Sequence, residues 1–111
     1  MSNRDLIKEI VATYEKHGWH LRRLLLRPDT RKELDSEFIS GYPPLAGVRV
    51  EEAAIDALWF SRPSQAQREA WELRLLAENP FALFETFETD ETEEQREDVR
   101  REMEARLRER Q

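Results

Sequence analysis

The sequence predicts an α+β fold: a single two-layer domain with a mostly antiparallel sheet of about four strands, an N-terminal amphipathic helix and a long charged C-terminal helix. Three observations lead there. Leu6, Ile7, Ile10, Val11 and Tyr14 recur at the helical period ahead of Gly18. Residues 55–88 hold two of the three tryptophans and four of the five phenylalanines, in runs of strand length. Residues 90–110 are mostly charged, with acids gathered at the start and arginines at the end.

The first helix spans residues 4–17. Ser2 or Asn3 can cap it, and Gly18 can stop it in a left-handed conformation. Residues 19–27 (WHLRRLLLR) then read as a strand ended by Pro28, although Arg23 and Leu26 break the alternation. Thr30 and Glu33 stand at capping-box spacing and open a short helix over residues 30–39. The segment 41–47 (GYPPLAG) is a rigid loop, since adjacent prolines cannot join a central sheet.

A meander of three strands follows, over residues 54–61, 69–76 and 81–88. The middle one alternates, with Trp71, Leu73 and Leu75 on one face and Glu72 and Arg74 on the other. Its neighbours are apolar on both faces: Trp59 against Leu58 and Phe60, and Phe84 against Leu83 and Phe87. The last helix has Asp90 and Glu93 at capping-box positions, and i,i+4 pairs Glu97–Arg101, Glu102–Arg106 and Glu104–Arg108. Its apolar line is only Val99, Met103 and Leu107, so residues 91–111 read as a helix appended to a domain of residues 1–90.

Composition narrows the chemistry. The 111 residues suit one domain, and 38% are charged. Without cysteine there are no disulfides, thiolate metal sites or Cys nucleophiles. The net charge of −6 is split, +4 over residues 1–32 and −10 over residues 33–111, which disfavours broad nucleic-acid binding. Arg22, Arg23, Arg27, Arg31 and Lys32 beside Trp19 form a basic run, but strand alternation sends Arg22 to the opposite face from Arg23 and Arg27. No apolar run has signal-peptide or transmembrane length, so a cytoplasmic protein with no membrane partner is expected.

Catalytic constellations are sparse. His17 and His20 flank Gly18, which breaks the helix that could fix them as metal ligands, so His17 reads as a helix terminus. No serine lies in a G-x-S-x-G elbow, and three glycines make no phosphate loop. Asp56 near the start of one strand and Glu72-Leu73-Arg74 on the next resemble the metal-binding arrangement of the PD-(D/E)xK nucleases. The resemblance implies a divalent ion on Asp56 and Glu72, with Glu9 or Glu15 on the preceding helix. It departs where Arg74 replaces the lysine and where the aspartate lacks its preceding proline. An ordinary cross-strand charge pair explains Glu72 and Arg74 more simply.

The function expected is therefore a small non-catalytic interaction module that needs no cofactor. Its expected partner is a second copy or another protein, met through an apolar sheet face and the last helix at Trp59, Phe60, Phe84, Val99, Met103 and Leu107. A metal-dependent phosphodiesterase on Asp56, Glu72 and Arg74 is the alternative. A small-ligand domain, with a site between the sheet and residues 42–45, is a third reading.

Overall fold

The computed structural model describes residues 1–110. The described residues form one α+β domain of three helices and five strands: α1 (Asn3–Lys16), β1 (His20–Leu26), α2 (Pro28–Gly41), β2 (Arg49–Glu52), β3 (Ala57–Pro63), β4 (Glu69–Leu75), β5 (Ala82–Phe87) and α3 (Glu93–Arg110). The sheet order is β2-β1-β3-β4-β5. All neighbours are antiparallel except β1 and β2, which pair in parallel through the α2 crossover.

Local chemistry accounts for most boundaries. Ser2 caps α1 by accepting the Asp5 N–H at 3.1 Å, and Gly18 leaves it at φ +86°. β1 stops at Leu26, ahead of Pro28, and Pro28 itself opens α2 at its first turn, where its missing N–H costs nothing. That helix is two helices joined at Asp35, whose φ of 55° breaks the spiral. The Asp35 carboxylate accepts the Phe38 N–H at 2.9 Å and so caps the second half. At the far end, α3 is capped by Thr92 and Gln95 rather than Asp90 and Glu93. The Thr92 hydroxyl accepts the Gln95 N–H at 3.1 Å while the Gln95 amide oxygen accepts the Thr92 N–H at 2.8 Å.

The strand expected over residues 54–61 is β3, and residues 49–52 add a strand, β2, where none was expected. β2 has glutamates that favour helix by propensity, but its register with β1 (Arg23 opposite Arg49, Leu26 opposite Glu52) supplies a parallel ladder that outweighs this. β1 carries a bulge between Leu21, which faces Phe60, and Arg23, which faces Trp59. The extra residue, Arg22, lies over the Trp71 ring at 5.9 Å, as Arg23 does at 5.7 Å. Both arginines therefore share a face, contrary to simple alternation.

Helices cover both faces of the sheet, so the fold has a third layer beyond the two expected. One core cluster gathers Ile7, Ile10 and Val11 of α1, Leu34 and Phe38 of α2, and Leu24, Leu58 and Phe60 of the sheet. Leu45 of the Pro43–Leu45 turn closes that side. The other cluster joins Leu25, Trp59, Trp71, Leu73 and Phe87 to Met103 and Leu107 of α3. The one-residue alternation between Leu58, Trp59 and Phe60 divides β3 between the two cores.

The narrow apolar stripe of α3 is widened by arginine. The Arg100 guanidinium, 1% exposed, sits 3.9 Å from the Trp71 ring centre and 5.2 Å from that of Phe87. Arg96 lies over Phe87 at 5.6 Å and Arg110 over Phe81 at 4.3 Å. Glu97 receives Arg23 at 3.0 Å and Arg100 at 3.0 Å. Burial pushes the Glu97 carboxyl up, but hydrogen bonds from Arg23 and Arg100 and the charges of Arg23 and Arg101 outweigh it, holding it at about 2. Glu104 accepts the Trp59 indole N–H at 2.9 Å, so that fully buried ring keeps its polar atom satisfied.

Candidate functional site

The structure separates the residues that the sequence marks as an interface. Trp59, Phe60, Met103 and Leu107 are all buried within one chain, and Val99 is partly buried against the α3 core. The second sheet face is thus closed by α3 of the same chain. The outward side of that helix carries Glu94, Asp98, Arg101, Glu102, Arg106 and Glu109 rather than an apolar strip. Phe84 alone of the six stands open, at 55% exposure, and besides Met1 it is the exposed large apolar side chain of the described residues.

Asp56, Glu72 and Arg74 do not converge. The Asp56 carbonyl accepts the Leu76 N–H at 2.9 Å, whereas Glu72 faces Phe60. Four residues along β4 separate the two levels, about 13 Å at strand rise, too far for one ion. Each carboxylate also has its own partners. Asp56, 8% exposed, accepts the Arg27 backbone N–H at 2.7 Å, the Thr30 hydroxyl at 2.7 Å and the Arg27 Nε at 3.3 Å. It ties the β1–α2 junction to the start of β3. Glu72 accepts the Tyr14 hydroxyl, and Tyr14 stacks on Phe60 with ring centres 4.1 Å apart. Burial raises the Tyr14 phenol well above its ordinary range, with the Glu72 hydrogen bond and charge acting the same way and Arg74 opposing them. Arg74 donates to the carbonyls of Leu75 and Ala77 and so braces the β4–β5 turn.

The other singled-out groups lie apart from Asp56 and Glu72 or are held locally. His17 caps α1 with Nδ1 2.9 Å from the Thr13 carbonyl, and His20 is exposed on β1. Tyr42 stacks on Phe38 at 5.4 Å and Leu45 is buried, so the 42–45 segment clasps the core. Among the described residues, no three His, Asp or Glu side chains are grouped to hold a metal ion, and no helix is long and apolar enough to cross a membrane.

What remains is the β5 edge. Leu75 donates to the Phe81 carbonyl at 2.9 Å, which sets residues 81, 83, 85 and 87 as those bonding to β4. The N–H and C=O groups of Ala82, Phe84 and Thr86 therefore point away from the sheet. Thr86 N–H is covered by the neighbouring Glu85 carboxylate at 3.2 Å, and the others have no partner among the described residues. Beside them the Phe84 ring meets Trp19 edge-on at 6.3 Å, and Arg62 lies 4.5 Å over Trp19 while donating to the His17 carbonyl. Trp19, just past the end of α1, thus backs Phe84. The Phe84 ring was legible as an exposed candidate; the open backbone beside it was not, because strand order is a non-local property.

The opposite edge is less receptive. β2 has four residues, three of them charged, whereas β5 has six with Glu85 its one charge. Short, charged strands resist further pairing, and β5 lacks those features. No protein-family model, curated protein or solved structure matches this chain, and its own residues carry the functional reading.

Proposed function

We propose that this chain is a non-catalytic interaction module that self-associates by pairing β5 with β5 of a second copy. The supporting observation is the outward backbone of Ala82, Phe84 and Thr86 beside an exposed Phe84. A two-fold axis perpendicular to the sheet keeps each face continuous and pairs residues of the same face. Centred on Phe84, the register sets Phe84 against its own copy, Ala82 against Thr86 and Leu83 against Glu85. The outward groups then form about six hydrogen bonds. Centred on Glu85, it would bring two carboxylates about 5 Å apart, which opposes that register.

So small a contact corresponds to weak association, with Kd on the order of micromolar. Sedimentation velocity across a concentration series tests this. The expected result is a monomer–dimer equilibrium for the wild type and a monomer for Phe84→Lys, with melting temperature little changed because Phe84 is outside both cores. A wild type that stays monomeric at high micromolar concentration would contradict the proposal.

A further inference from the structure

We propose that the cleft between α3 and the β1–β2 side of the sheet binds a phosphate group. The cleft has a volume of about 550 Å³ and is lined by Arg22 and Arg23 of β1, Arg49 of β2, and Arg96 and Arg100 of α3, with Trp71 among its walls. Glu69 and Glu93 are the lining acids. This site is on the α3 face, away from Phe84, and does not depend on self-association.

The cleft is more than a set of internally matched ion pairs. Glu97 engages Arg23 and Arg100, Glu93 engages Arg100 at 2.6 Å, Glu51 engages Arg49 at 2.7 Å, and Glu69 stands 3.7 Å from Arg96. Five arginines against these four carboxylates leave a positive site in a chain of net charge −6. Arg22 has no hydrogen bond or ion pair among the described residues; its guanidinium lies over the Trp71 ring, 5.9 Å from the ring centre. The Nε atoms of Arg96 and Arg100 are buried without a hydrogen-bond partner, and Arg100 is 1% exposed.

The β1 bulge supplies the remaining element. It turns Arg22 onto the face of Arg23 and opposite α3, so guanidiniums from three separate elements converge. Arg23 and Arg100, fixed by Glu97 and Trp71, form a rigid base. Arg22 and Arg49 are the accessible forks, and Arg96 approaches from the helix. Planar forks from several directions suit a tetrahedral dianion with several acceptor oxygens better than a single carboxylate. A nucleic-acid polyanion would also meet the long-range repulsion of the acidic chain, which a small phosphate largely escapes.

Isothermal titration calorimetry of the full chain with inorganic phosphate, in low-chloride buffer, tests the site. Acetate and a short DNA duplex serve as comparison probes. The expected result is one saturable phosphate site with Kd below about 1 mM, and acetate binding at least tenfold more weakly. Arg22→Ala and, separately, Arg49→Ala each weaken phosphate about tenfold, while Lys32→Ala outside the cleft leaves it unchanged. Unaltered melting curves without phosphate establish that the variants fold; should Arg22→Ala not fold, Arg49→Ala carries the test. The proposal is overturned by no saturation up to about 10 mM phosphate. Equal affinity for acetate, tighter binding of the duplex, or phosphate binding indifferent to the folded arginine variants also overturns it.

Discussion

Replacing Asp56 by alanine separates a structural carboxylate from a metal ligand. In the wild type, Asp56 accepts from the Arg27 backbone N–H and the Thr30 hydroxyl, both at 2.7 Å, and from Arg27 Nε at 3.3 Å. The Arg27 side chain is half exposed, so water replaces that contact at little cost. Thr30 is 3% exposed and cannot be rehydrated so readily. Orphaning its hydroxyl and the Arg27 N–H costs on the order of 1–2 kcal/mol each, giving a loss of about 3 kcal/mol. For a domain of this size that is a fall in Tm of roughly 15 °C. Urea unfolding followed by tryptophan fluorescence measures the loss, which should move the midpoint while leaving the slope unchanged. Removing Thr30 as well, in Thr30→Val/Asp56→Ala, should cost less than the sum of the single changes, because the two side chains share one bond. A loss below about 1 kcal/mol in Asp56→Ala would refute this role. So would a wild-type Tm that rises with added Mg²⁺ or Mn²⁺ in a manner abolished by Asp56→Ala, which would return the residue to metal binding.

Two further changes probe how α3 is held. Met103→Ala empties a fully enclosed position in the α3 core and should cost about 3 kcal/mol in urea unfolding; a surface-sized loss of about 0.5 kcal/mol would mean that the helix is merely appended. Glu97 should make the fold acid-sensitive. Its folded carboxyl is held at about 2 against an ordinary 4.5, so its contribution is full above 4.5 and disappears as pH falls toward 2. Glu97→Gln should be less stable than the wild type at neutral pH and lose less stability on acidification through that window; a parallel pH profile would contradict the pairing.

The sequence made the amphipathic α1, the β1 strand and the β3–β5 meander readable, because each carries its own period or turn residues. It hid β2, since Glu51, Glu52, Ala53 and Ala54 lean toward helix and only the ladder to β1 makes the segment a strand. The bulge at Arg22 was equally invisible: alternation assigns faces correctly only where no extra residue intervenes. Coverage of the second sheet face was the least legible feature. With Val99, Met103 and Leu107 as the whole apolar line, the sequence leaves open whether α3, a second subunit or a ligand covers it. Arg96, Arg100 and Arg110 complete that line by laying guanidiniums on Phe87, Trp71 and Phe81, a packing role that a count of charges conceals. Asp56 and Glu72 illustrate the same limit. Asp56 immediately precedes β3 and Glu72 lies on the neighbouring β4, yet register alone decides that they sit at different levels.

Amide hydrogen exchange at two protein concentrations tests the central claim, β5 pairing, at the atoms involved. The account predicts that Ala82 and Phe84 amides, which point outward, exchange markedly more slowly at high than at low concentration. The Leu83 and Glu85 amides, already bonded to β4, should show no comparable change, and Phe84→Lys should abolish the effect at Ala82. Rapid exchange at Ala82 and Phe84 that is indifferent to concentration would contradict the account.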